Sequence, residues 1–370
     1  VQLITVLGVA GILAGTPLFA DNTNVYIASA SDGVYLSTLN DETGSLSEPK
    51  LAAEIKGSGF LAIHPNNKAL YTTANFEEKQ GGIAAYTIAK NGSLTQKSLQ
   101  KNKDGGLCHI SLDASSKVIM GANYRGGSVV SFPLAEDGSI GNLASHHQHE
   151  GFSVNEKRQK GPHAHSIYSG PQNKFAYAPD LGIDKVMIYA IDTTSAKLTP
   201  FGHSKTPAGG GPRHMKFGKD GKQAYVLNEL LLSVTVYDVN PVSGKLTKKQ
   251  TIGNVKSGTD KEQMTCSEIR VSKDGKFAYC ANRDLAGKKR DCVSVFSVGS
   301  AGKLTLIQTI GAEVWIPRNI NLDPTGKWLL VAGQKSNNVP VFKVDQATGM
   351  LSYTGNKISV PKAMCIEFVK

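Results

Sequence analysis

What this 370-residue chain lacks narrows it first. Beyond residue 20 there is no long amphipathic run at helical spacing, which disfavours a helical bundle or an alternating α/β fold. The five cysteines, Cys108, Cys266, Cys280, Cys292 and Cys365, include no Cys-x-x-Cys pair and no zinc-ligand spacing. Cys280 and Cys292 fall on runs expected to lie side by side and could be oxidised in an exported protein; burial as small hydrophobes is the alternative. Lys and Arg outnumber Asp and Glu by 41 to 30, yet no basic tract carries interleaved aromatics. Many lysines sit in turns such as Asp220-Gly221-Lys222 and Asp274-Gly275-Lys276, where they are solvated charge and not a nucleic-acid surface. Gly209-Gly210-Gly211 lacks the strand and helix context of a nucleotide loop and reads as a tight turn. No cofactor or metal is called for. His146-His147-Gln148-His149, within a polar insertion at 144–160, reads as a solvated loop, and His163-x-His165, even with Asp180, is weak as a metal-ligand spacing.

Turns are abundant, with 39 glycines and many Asp-Gly and Gly-Lys pairs, so short strands are expected. Residues 1–20 carry no charge and end Thr16-Pro17-Leu18-Phe19-Ala20 before Asp21, resembling an export signal whose basic start and Met are missing. The expectation is a truncated signal that is removed, leaving a periplasmic or secreted protein without stable membrane association. A miscalled start would make it cytoplasmic.

From residue 59 one pattern recurs: an apolar run, an Asp-Gly-Lys-like turn, a second run ending in Ala-Asn or a relative, a third run of type Val-x-Val-Tyr, and a Gly-x-Leu turn. Copies open near Gly59, Leu107, His163, Arg213, Ser267 and Arg318. Four strands at a period of about 50 residues describe a β-propeller blade. Six copies are complete. Asn24-Val25-Tyr26-Ile27-Ala28-Ser29 with Gly33-Val34-Tyr35-Leu36 supplies the second and third strands of a seventh. Met364-Cys365-Ile366-Glu367-Phe368-Val369 supplies its first. We therefore expect 21–370 to be one all-β domain, a seven-bladed propeller of four-stranded antiparallel blades. The C-terminal strand would close the ring against the N-terminal ones.

In such a meander the start of strand one and the end of strand two share a rim. At strand-one starts the chain places His109, His163, His165, Arg213, His214, Glu268, Arg270 and Arg318. At strand-two ends it places Asn75, Asn123 with Arg125, Asp180, Asn228 with Glu229, and Asn282 with Arg283. Polar groups on crowded inner strands must pair or bind something. Internal pairing, for instance Glu268 with Arg318, is the plain alternative to ligand binding. The excess of guanidinium points to a carboxylate or phosphate ligand.

The motifs Ala122-Asn123-Tyr124-x-Gly126-Gly127-Ser128-Val129, Gly161-Pro162-His163-Ala164-His165, Asp180-Leu181-Gly182-x-Asp184-Lys185-Val186, Gly211-Pro212-Arg213-His214, Asn228-Glu229-Leu230 and Asn282-Arg283 occur in one order. In that order the chain resembles the seven-bladed lactonase family, which includes a bacterial 6-phosphogluconolactonase and the fungal carboxy-cis,cis-muconate cyclase. The resemblance implies a sugar lactone hydrolase with His165, Arg213, Glu229 and Arg283 as the catalytic group. His109, Asn123, His163, Asp180, His214, Glu268, Arg270, Asn282 and Arg318 are the candidates for substrate contact. Either His165 or Glu229 could be the base, with Arg213 and Arg283 on the oxyanion and the substrate's anionic group. The implied partner is a small anionic lactone or sugar acid, and the chain is expected to act as a monomer or weak dimer. A lactonizing cycloisomerase and a non-catalytic binding propeller are the rival readings.

Overall fold

The computed structural model describes residues 22–76 and 80–369. The segment read as an export signal lies outside the described residues. Within them the chain forms seven four-stranded antiparallel sheets, and each follows the meander order. Blades 2 to 7 occupy 61–101, 109–148, 168–205, 212–253, 264–311 and 317–359. Blade 1 joins both chain ends: β28 (Ala363–Val369) pairs antiparallel with β1 (Asn22–Ser29), followed by β2 (Gly33–Asn40) and β3 (Lys50–Glu54). Ile27 sits opposite Ile366 and Ala28 opposite Cys365 in that closing ladder. The expected propeller and its mode of closure are therefore present. Among the described residues no helix is long and apolar enough to cross a membrane.

Local chemistry fixes each blade. The turn from first to second strand is built on an Asp side chain. Asp113 accepts from the Lys117 and Val118 amides at 2.8 and 2.7 Å, and Asp323 accepts from the Trp328 amide at 2.7 Å. These are side-chain caps that hold a tight turn before pairing begins. Gly221, Gly275 and Gly326 occupy the same kind of turn with φ of 70°, 77° and 75°, a region costly for a residue with a Cβ.

Blades are joined by buried apolar contacts and by repeated polar staples, of which the tyrosines of the second strands are one kind. Tyr26, Tyr71 and Tyr279 on second strands each donate a hydroxyl proton to the carbonyl of Gly92, Gly138 or Gly349 in the following blade, at 2.6, 3.0 and 3.0 Å. The tyrosine rings fill the interface while the hydroxyl satisfies a turn carbonyl, so one side chain fixes both distance and register. All five cysteines are free thiols, four of them buried. Cys280 lies opposite Ser294 and Asn282 opposite Cys292, so the two thiols are offset by two positions across the ladder and are not joined.

The segment at 144–160 differs from the solvated loop expected of it. Ser145–Gln148 is the outer strand of blade 3, and His146 bonds Asp104 at 2.6 Å while His147 bonds the Leu198 carbonyl at 2.7 Å. His149 is buried between Asp180 and the Tyr189 hydroxyl, at 2.6 and 2.7 Å.

Candidate active site

The ring brings strand-one starts and strand-two ends to one mouth of the channel, where a cavity of about 850 Å³ opens. Six blades or their connections contribute to it. Asn75 and Phe76 come from blade 2, Gly105 to Cys108 from the link to blade 3, and Tyr124 and Arg125 from a blade 3 hairpin. Arg158 comes from the next link, then His165, Glu229, Arg283 and Arg318 from blades 4 to 7.

Glu229 is the hub. It follows β17 (Gln223–Asn228), beside the start of β16 (Pro212–Phe217), which carries Arg213. Arg213 Nε donates to Glu229 Oε2 at 2.9 Å, and its Nη1 donates to the Ser267 carbonyl. Arg283, from β21 (Phe277–Asp284), lies 3.1 Å from the same oxygen and donates to the Cys266 carbonyl at 2.8 Å. Arg158 Nη2 donates to Oε1 at 2.9 Å and to the Tyr124 hydroxyl at 3.0 Å. Burial alone would raise the Glu229 carboxyl, but Arg283, Arg213 and Arg158 outweigh it and hold it down at about 2. Glu229 is therefore ionised throughout the working range and is a weak proton acceptor near neutrality.

His165 shows the opposite balance. It is buried, its Nδ1 lies 3.8 Å from Cys108 Sγ, and its Nε2 has no hydrogen bond among the described residues. Burial, then Arg213, His214 and Arg318, push its pKa well below the ordinary histidine value, so the imidazole is neutral at pH 7. Arg318, at the start of β24 (Pro317–Leu322), has no ion pair or hydrogen bond among the described residues. Burial, then Arg213 and Arg283, bring it down to about 9, which leaves it cationic at neutral pH. Arg283 Nε is also buried without a partner. The cavity thus combines a neutral imidazole, donors lacking an acceptor, and one carboxylate paired with three guanidiniums, of which Arg158 and Arg283 also line it.

The family profile described as "Lactonase, 7-bladed beta-propeller" matches residues 23–368. The chain belongs to this lactonase family. The 6-phosphogluconolactonase of Bacillus subtilis (strain 168) is 35% identical over 347 residues, covering 93% of this chain and 96% of that protein. The 6-phosphogluconolactonase of Formosa agariphila is 31% identical, covering 86% of this chain and 90% of its own. Among solved structures, the periplasmic gluconolactonase of Pseudomonas aeruginosa shares 26% identity with a TM-score of 0.88, over 95% of this chain and 99% of that one.

Within this lactonase the expected residues divide by geometry. His165, Glu229, Arg283 and Arg318 line the cavity. Arg213 does not. It stands behind Glu229 with its guanidinium committed to that carboxylate and to the Ser267 carbonyl. The remaining candidates for substrate contact are bonded elsewhere. Asp180 accepts from the His163 and Gly182 amides, and Asn123 donates to the Gly105 carbonyl. His163 stacks on Tyr124 and bonds its carbonyl at 2.8 Å. Asn282 bonds Ser294 at 2.8 Å.

His109, His214, Glu268 and Arg270 also lie away from the cavity. His109 packs among Phe60, Tyr168 and His214. Glu268 pairs with His214 at 3.0 Å and takes Asn319 Nδ2 at 2.6 Å, so Arg318 is not its partner. Arg270 reaches the Ile320 carbonyl and Glu367.

The cause is strand alternation: at β8 (His109–Leu112) the side chain preceding the strand, Cys108, faces the cavity while His109 turns inward. Sequence reasoning missed Cys108, Tyr124 and Arg158. Cys108 and Tyr124 each lie one position from a residue it selected. Arg158 carried no signal, because its reach to Glu229 depends on how the 149–160 segment folds.

Proposed function

We propose that this lactonase hydrolyses a sugar lactone of the aldonolactone type, with His165 as general base and Arg318 with Arg283 facing the developing oxyanion. One observation carries the assignment: the cavity holds an unprotonated imidazole with a free Nε2 beside an unpaired guanidinium, while the neighbouring carboxylate is locked by three arginines. The names of the relatives from Bacillus subtilis and Formosa agariphila support the substrate class.

In this reading His165 Nε2 takes a proton from water as the water oxygen bonds the lactone carbonyl carbon. Negative charge moves to the carbonyl oxygen, where Arg318 and Arg283, which both line the cavity, can meet it. Collapse breaks the bond from that carbon to the ring oxygen, and the imidazolium returns its proton to the leaving alkoxide. The product acid ionises and releases one proton to solvent. Glu229 stays charged and keeps Arg283 and Arg158 in register.

Hydrolysis in oxygen-18 water, followed by mass spectrometry, tests the bond that forms. One label is expected in the product carboxylate, and a lactonizing enzyme would show none in its product. His165→Ala is expected to lower kcat by about 10²- to 10⁴-fold in a pH-stat assay, and parental activity in that variant rules the base assignment out. We extend the proposal to export and to a monomeric or weakly dimeric state. The uncharged composition of residues 1–20 and the periplasmic relative support export. Cell fractionation and sedimentation of the purified protein check the two points.

A further inference from the structure

Arg158 is bound in a way that its pairing with Glu229 does not explain. Its segment is tightly built. Gln159 is fully buried, accepts from the Asn155 amide at 3.0 Å and donates to the Leu181 carbonyl at 2.8 Å. Ser153 donates to Asp184 at 2.6 Å, and Asn155 Oδ1 takes the Arg158 amide at 3.1 Å. This brace presents one guanidinium into the cavity and keeps its side chain 35% exposed, whereas the Arg213 and Arg283 side chains on the same carboxylate are 1% and 8% exposed. Only Nη2 is engaged, with Tyr124 and Glu229. Nε and Nη1 have no partner among the described residues. Arg125, on the hairpin that also carries Tyr124, is exposed, lines the same cavity and has no ion pair among the described residues. Glu229 already has two buried arginines, so a third, open to solvent in a cavity that Arg125 also lines, exceeds what that carboxylate needs.

We propose that Arg158 and Arg125 form a second anion subsite at the outer part of the cavity, which takes a charged group at the end of the substrate away from the lactone carbonyl. The ligand chemistry is a phosphate monoester or carboxylate on the sixth carbon of an aldonolactone. The inner pair, Arg318 and Arg283, then addresses the reacting end, and the outer pair selects charged lactones over neutral ones. Tyr124 and Glu229 orient Arg158 by using Nη2, which leaves the other nitrogens to the ligand. This subsite rests on the lactonase reading above, and binding of products separates the two.

Calorimetric titration of the full chain with 6-phosphogluconate, glucarate and gluconate compares a phosphate, a carboxylate and a neutral hydroxymethyl at the same carbon. The parent is expected to bind one or both charged acids about tenfold or more tightly than gluconate, as one charge-assisted contact allows. Which acid is preferred identifies the anion. Arg158→Ala should abolish most of that ratio, and Arg125→Ala, at an exposed position that folding does not need, should reduce it. Equal affinity for all three acids in the parent, or a ratio preserved in both variants, overturns the subsite. Lactone turnover is measured alongside: lost turnover with intact discrimination counts against the catalytic reading alone, and the reverse pattern counts against the subsite alone.

Discussion

A carboxylate held by three guanidiniums contributes stability in proportion to how far its proton affinity has been lowered. Glu229 falls from 4.5 to about 2 on folding. Its pKa is depressed, so this contribution is fully present above pH 4.5 and is lost as pH falls toward 2; it amounts to about 3 kcal/mol. Glu229→Gln leaves buried arginines uncompensated and should cost about 3–5 kcal/mol at pH 7. In urea unfolding curves the gap between parent and variant should narrow as the pH is brought to 3. His165 predicts a separate pH effect. A base is active when unprotonated, and a value well below 6.5 moves the acid limb of kcat/KM to lower pH. Activity should hold through pH 6.5 and fall only below it, so a limb centred at or above 6.5 in the rate profile would count against His165. At this scale the sequence revealed residue types better than directions. His165, Glu229, Arg283 and Arg318 were legible because they break the repeat at a shared rim. His109 was not separable from Cys108, since a single step along a strand exchanges inward and cavity-facing side chains.

Among elements, the decisive one is the link between blades 3 and 4. Asp184 ties it down by accepting from Ser153, and the same carboxylate accepts from the Gly209 and Gly211 amides of the next link at 2.7 and 2.8 Å. Asp184→Ala strands two backbone donors, each worth about 1–3 kcal/mol when left without an acceptor. The variant should melt earlier, and hydrogen exchange should accelerate at 149–160 and 206–211. Protection unchanged in both segments would show that the carboxylate is dispensable. This link was read as a solvated loop because outer strands are half exposed and histidine-rich, so alternation is weak there. Part of its brace is made by residues far away in sequence, Leu181 and Asp184, and no local pattern encodes such partners. The glycine turn at 209–211, by contrast, was legible from composition, since Gly211 has φ of 62°.

For the molecule as a whole, the seven blades were legible because each repeats one pattern of apolar runs and turns, and closure followed from two orphan half-patterns at the ends. The inter-blade tyrosine staples were not, since an interface tyrosine looks like any other strand tyrosine. Closure makes its own prediction. Removing 363–370 deletes the partner of β1, exposes buried residues such as Ile27, and leaves an unpaired inner edge. Gel filtration and calorimetry should show association and loss of the cooperative transition; a monomer melting as the parent does would mean that β28 is ornamental. The same ladder sets a schedule. β1 is made first and its partner last, roughly 340 residues later, an interval of about 17–70 s at ~5–20 residues per second. For all that time the earliest blade waits without its inner strand, so the ring cannot become native before β28 is made.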